Sequence, residues 1–332
     1  MGKIVLALGI LLLATGGAQA ALPVTEKTIR HKDATFEIDI RYPQTGNAAI
    51  DKVLGDFVKG AAGYVHPDQP PDEENAKSVT VDYTVYRNDD KIFGVRLDGG
   101  TYHQGAAHPM PIGHYFTFLM PSGRQVFLPE LVDGPRGMKK VSQLAIPEIF
   151  RELGKSGPPL PPEEVGNIER RAGPAYLEGT DFKWLPDELV LVFGSYELLG
   201  YIGGPIVHIP MTALADVLRA DPSAPAASFD CRGARSAIEK TLCTDVELAR
   251  LDRHLASRYA VSMQTLRELI FFLQNKPSPP SDWDRKYLAD DQAKLDGLIA
   301  GQRAWLAERN KACATGEEAC LTAHYQARLK AL

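Results

Sequence analysis

Apolar positions alternate with polar ones in the first half of the chain and recur at three- and four-residue steps near its end. Phe36, Ile38, Ile40 and Tyr42 alternate with polar partners, as do Val79, Val81, Tyr83 and Val85, the period of strands with one buried face. Between these runs Ile50, Val53, Leu54, Phe57, Val58 and Ala61 keep helical spacing after Asn47, which predicts a capped helix over one face of a sheet. Further strands are expected at residues 91–97, 113–120 and 124–128, with a turn at Pro121-Ser122-Gly123 between the last two. The run VSQLAIPEIFREL predicts a helix broken at Pro147. ELVLVFGSYELL and PIVHIP predict strands, and residues from Met211 to Leu218 a short closing helix.

The pattern changes after RADPSAPAAS, a stretch between Leu218 and Phe229 rich in proline and small residues. Beyond it Ser236-Ala-Ile-Glu239 and Thr244-Asp-Val-Glu247 have the form of capping boxes that open successive helices. Leu248, Leu251, Leu255, Tyr259, Met263, Leu266, Ile270 and Leu273 form one apolar stripe on a long helix. A second long helix, from about Trp283 to Lys311, turns Leu288, Leu295, Ile299 and Trp305 inward, and a short third one carries Leu321, Tyr325 and Leu329. The expected fold is α+β: an antiparallel sheet with covering helices over residues 21–220, a linker over 221–228, and a small all-α helical hairpin over 229–332.

The composition adds a compartment. The 332 residues are 44% hydrophobic and 24% charged, which excludes disordered, collagen-like and coiled-coil chains. Lys3, an apolar run from Ile4 to Ala14, and Ala18-Gln19-Ala20 have the order of a signal peptide over residues 1–20 cleaved after Ala20, which sends the mature chain to the periplasm or the medium. No later apolar run is long enough to span a bilayer. Cys231, Cys243, Cys313 and Cys320 are an even set in an exported chain, so two disulfides are expected. Of the three connectivities, the local pairs Cys231 with Cys243 and Cys313 with Cys320 are preferred, because each flanks a predicted helix junction.

A net charge of −5 argues against nucleic acid as a partner. The charge is divided unevenly. Residues 21–228 hold 20 basic and 28 acidic side chains, and residues 229–332 hold 16 and 14. A cationic partner would be steered toward the first part.

The order FDCRGARSAIEKTLCTDVELARLDRHLASRY, QRAWLAERNKAC and CLTAHYQARLKAL resembles the LprI-type lysozyme inhibitor domain, in its paired cysteines and in the helices L-x-x-L-D-x-x-L-x-x-x-Y and Q-R-x-W-L-x-x-R-x-x-x-C. The insertion between the two long helices is longer than that family's. More faintly, GTYHQGAAHPMPIGHYFTFLMPSGRQVFLPELV and ELLGYIGGPIVHIPMTALADVL resemble the RsiV-like and PdaC-type extracytoplasmic domains, a family that includes a lysozyme-sensing ectodomain and a module attached to peptidoglycan deacetylases. Together the resemblances imply a non-catalytic cell-envelope protein whose partner is lysozyme or peptidoglycan.

Catalytic chemistry is poorly represented. His103, His108 and His114 cluster and His208 follows on a later strand, but their spacing is no zinc signature and no glutamate stands among the clustered three. Ser195 lacks the second glycine of a nucleophile elbow. Neither a phosphate loop nor a dinucleotide fingerprint is present, so no catalytic residue, metal or cofactor is expected. Trp305, Tyr259 and Arg309 are expected to pack within the helical part. The candidate binding loop runs from Thr101 to Gly113, with Tyr102, His103 and His108, and with His114 at its end; Arg232 and Arg235 near the first cysteine pair are a second surface. The alternatives to lysozyme inhibition are a peptidoglycan-binding or scaffold module without lysozyme affinity and, less favoured, a peptidoglycan hydrolase.

Overall fold

The computed structural model describes residues 21–64, 76–155, 159–194, 197–198, 204–275, 279 and 281–332. The proposed signal peptide and Ser195 lie outside the described residues.

Six strands form the first sheet in sequence order: β1 (Thr25–Lys32), β2 (Phe36–Gln44), β3 (Lys77–Asn88), β4 (Ile92–His103), β5 (Met110–Leu119) and β6 (Arg124–Gln125). Neighbours are antiparallel except β2 and β3, which run parallel. The exception follows from α1 (Ala48–Ala62), which occupies the connection and carries the chain back over the sheet, as a parallel pair requires. Asn47 caps α1, accepting from the amides of Ala49 and Ile50 at 3.1 and 3.3 Å. The helix buries Ile50, Leu54 and Val58 against Ile40, Val79, Val81, Val95, Leu97, Phe116 and Phe118, the residues that alternation places on one sheet face.

A second core forms around α3 (Gly134–Gly154) and a three-stranded antiparallel sheet, β7 (Asp181–Trp184), β8 (Glu188–Val192) and β9 (Ile206–Pro210). The expected break at Pro147 does not occur, and α3 runs through it. Its buried positions Met138, Val141, Ser142, Ala145 and Ile149 stay in line, while Pro147 and Gln143, whose carbonyl loses its partner, are exposed to water. The strand expected at residues 124–128 ends at Gln125. Pro129 cannot donate to a ladder and instead starts a short helix, α2 (Leu128–Leu131). The expected closing helix is a single 3₁₀ turn, Met211–Leu214. Two further short helices, α4 (Pro162–Arg171) and α5 (Pro174–Leu177), precede β7.

The remainder is helical: α6 (Ala237–Leu242), α7 (Val246–Gln274), α8 (Asp282–Ala312) and α9 (Glu318–Ala331). Ser236 and Glu239 form the expected capping box of α6. For α7 the cap is Asp245, which accepts from the Leu248 amide at 2.7 Å; the Thr244 hydroxyl is spent on the Lys240 carbonyl at the end of α6. The α7 stripe buries Leu248, Leu255, Met263 and Ile270, and α8 returns Leu295 and Trp305 to it. Both local disulfides are present, Cys231–Cys243 and Cys313–Cys320, each with Cα atoms 5.7 Å apart. Among the described residues no helix is long and apolar enough to cross a membrane.

The proline-rich stretch between Leu218 and Phe229 is tied down. Arg219 donates to the carbonyls of Ala224 and Pro225, both at 3.0 Å, and Arg124 to that of Pro222 at 2.7 Å. Arg253 reaches the Ala226 carbonyl, Ala227 is buried in the helical core, and the Ser228 amide donates to Asp252 at 2.8 Å.

Candidate functional site

The candidate loop is the end of the β4–β5 hairpin. Thr101, Tyr102 and His103 finish β4, Met110 to Gly113 begin β5, and Gln104 to Pro109 make the turn, with Gly105 at φ +88°. Tyr102 and His103 stack, with ring centroids 6.4 Å apart, and the His108 ring bonds the Pro109 carbonyl at 3.0 Å. His103 is exposed and His108 half-buried.

His114 is separated from the other two. It lies within β5, where its Nδ1 stands 2.5 Å from Asp181 Oδ1 on β7 and its ring meets Phe116 edge-on at 4.6 Å. Its neighbour on α1 is Phe57, so the His114 side chain fills the seam between helix, sheet and β7 rather than the hairpin tip. The three histidines thus make two residues at the tip and one half-buried residue within β5. Among the described residues, the group close enough to share one ion is Cys313, Cys320 and His324, whose two sulfurs are joined to each other. His208 pairs with Glu188 at 3.0 Å.

In the helical part, conspicuous side chains converge on one buried network. Tyr325, fully buried, donates to Asp252 at 2.7 Å and accepts from Arg309 at 2.6 Å. Arg309 lies over the rings of Trp305 and Tyr325, at 5.1 and 5.5 Å, and Trp305 meets Tyr325 edge-on at 5.2 Å. Burial first, and the Asp252 charge second, push the Tyr325 hydroxyl well above its ordinary value, so it stays a donor. Periodicity places Tyr325 in the core but does not single out Asp252, a charged residue inside a motif-bearing helix.

A second charged network joins the helical part to the rest. Glu130, at 1% exposure, accepts from Arg250 Nε and Nη2 at 2.9 and 3.1 Å, from Arg124 at 3.1 Å and from the Phe127 amide at 2.9 Å, with Arg253 at 3.6 Å. Burial alone would raise its pKa. The bonds and charge of Arg250 outweigh burial and hold Glu130 below its ordinary value. No signal in one sequence pairs Glu130 with these arginines.

The stapled helices and this buried tyrosine network fall in a segment that a known family shares. Residues 231–332 match the family model of the lysozyme inhibitor LprI. The match takes in both disulfides and helices α6 to α9, and with them Asp252, Trp305, Arg309 and Tyr325. Those four residues are bonded to or packed on one another and hold the helices of the matched segment together.

Two solved structures are similar to part of the chain. One is a DUF3298 family protein from Pseudomonas aeruginosa, at 12% identity and TM-score 0.45, covering 60% of this chain and 96% of that one. The other is a DUF3298 family member from Bacteroides fragilis, at 12% identity and TM-score 0.43, covering 61% and 97%. No curated protein matches the chain.

Proposed function

We propose that this protein is a non-catalytic, exported cell-envelope protein that binds and inhibits lysozyme. The observation that carries the reading is the match of residues 231–332 to the LprI inhibitor family, in a segment whose four cysteines all pair. Two disulfides suit an oxidising compartment outside the cytoplasm, where a secreted muramidase is met. In this reading residues 1–20 are the export signal, residues 21–220 form an RsiV-like domain, residues 221–228 connect it to the helical domain, and the excess of acid in the first part draws in a basic enzyme.

The β4–β5 turn is the proposed contact in the first part. Tyr102, His103 and His108 sit at a strand-supported tip, the rigid kind of projection that enters a cleft at low entropic cost. His114 would support this hairpin through Asp181 rather than touch the partner.

The test is to titrate the purified mature chain against hen and bacterial lysozymes. Inhibition at sub-micromolar concentration supports the reading, and no effect at a hundredfold excess rejects it. Sedimentation with purified sacculi in the absence of inhibition would move the assignment to a wall-binding module, and release of muropeptides from sacculi to a hydrolase.

A further inference from the structure

A cleft of about 740 Å³ opens between α7 and the segment that carries α2 and α5. Its size falls within the range of sites for small organic ligands. Phe127 and Pro129 on one side and Leu251 and Val261 on α7 give it an apolar body. His254, Arg258 and Ser262 follow one another at four-residue steps on α7, so three hydrogen-bonding groups stand one above the next along the same wall.

The other charges in the cleft are already used. Arg250 is held by Glu130, by Glu247 at 3.0 Å and by the Gln125 carbonyl. Arg253 is held by the Ala226 carbonyl and by Glu130 and Glu178, each at 3.6 Å. Glu178, whose carboxyl burial pushes up, therefore faces an arginine of its own. Arg258 differs. Among the described residues its guanidinium makes one hydrogen bond, from Nη1 to the Leu329 carbonyl at 2.8 Å, which leaves Nη2 and Nε to donate. His254, one turn away, makes no hydrogen bond among the described residues. Partial burial and the Arg258 charge lower its pKa, so at neutral pH it is a neutral ring that can donate one bond.

We propose that this cleft binds a small organic acid, its carboxylate held by Arg258 and His254 and its apolar body lying against Phe127, Pro129, Leu251 and Val261. A guanidinium fork matches a carboxylate in both charge and shape. The site is separate from the hairpin tip proposed for lysozyme; the sources of its ligand rest on the proposed export to the envelope, and the cleft itself does not. Two sources offer this chemistry at the envelope, an acyl chain released from lipid and a muramyl peptide released from the wall.

The test is calorimetric titration of the full mature chain with dodecanoate and with N-acetylmuramyl-L-alanyl-D-isoglutamine, alongside dodecylamine. Saturable one-to-one binding of either acid, at least tenfold tighter than the amine, is expected, and the acid that binds identifies the source. Arg258→Met should weaken that binding tenfold or more, and Val261→Trp, which fills the cleft, should abolish it; circular dichroism confirms that each variant is folded. The ring protons of His254 should shift during titration of the unaltered protein, which reads the site without any substitution. The proposal is overturned if neither acid binds below about 1 mM, if the amine binds as tightly, if a folded Val261→Trp binds normally, or if His254 does not respond.

Discussion

Arg250 donates to both carboxylate oxygens of Glu130, at 2.9 and 3.1 Å, across 120 positions of chain. One buried carboxylate thereby holds the start of α7 against the segment leading into α3, while Arg124 and Arg253 crowd the same anion. Three arginines around one glutamate are tolerable only while that glutamate is charged.

Glu130→Gln should therefore be among the costliest single substitutions in the chain. Removing one partner of a buried ion pair typically costs about 3 to 5 kcal/mol, because the remaining charges stay desolvated without compensation. Urea denaturation should show a loss of stability of that order. A loss smaller than about 0.5 kcal/mol, the scale of a neutral surface change, would show that the network is not holding the fold.

Acid should act through the same group. The folded pKa of Glu130 is lowered, so its contribution is complete above the ordinary carboxylate range and is lost as pH falls through the lower folded value. Stability measured from pH 7 downward should fall below about pH 4.3 in the unaltered protein, and less steeply in Glu130→Gln. Parallel curves for the two proteins would assign the acid sensitivity to other carboxylates.

Tyr325→Phe keeps the ring and its edge-on contact with Trp305 but removes the oxygen that joins Arg309 to Asp252. The loss should be about 1 to 3 kcal/mol, the cost of leaving buried polar partners unsatisfied. Because the network lies inside the helices, far-ultraviolet circular dichroism at room temperature should remain helical while the melting temperature drops.

The two disulfides close rings over sequence separations of 12 and 7. Chain entropy gives each about 2 to 3 kcal/mol. Replacing Cys231 and Cys243 together by serine, or Cys313 and Cys320 together, should lower stability by that amount in each case. Thiol titration of the unreduced, denatured mature protein should find no free thiol.

Much of the scaffold was legible in the order of residue types. Alternation located β2 and β3, three- and four-residue spacing located α7 and α8, and Ser236 with Glu239 located the start of α6, because each depends on neighbours a few positions away. Errors arose where a local rule met a tertiary context. Pro147 reads as a helix breaker, yet it and Gln143, whose carbonyl it leaves unpaired, lie on an exposed face where that carbonyl is open to solvent. Thr244 reads as a cap, yet its hydroxyl serves the helix before it. Residues 124–128 read as strand until Pro129 ends the ladder. The site was harder to read. Sequence spacing groups His103, His108 and His114, but β5 rises about 3.3 Å per residue and carries His114 along the strand, away from the turn and against Asp181. The long-range partners of Glu130 and the cleft along α7 depend on how separate segments meet, which no short pattern encodes.

Between Leu218 and Phe229 the carbonyls of Pro222, Ala224, Pro225 and Ala226 each receive an arginine side chain. Such a splice has no slack. Tension applied at the sheet would pass directly to the helices instead of being taken up by swivelling, and a protease seeking a soft place to separate the halves would have to pull guanidinium groups off the backbone first.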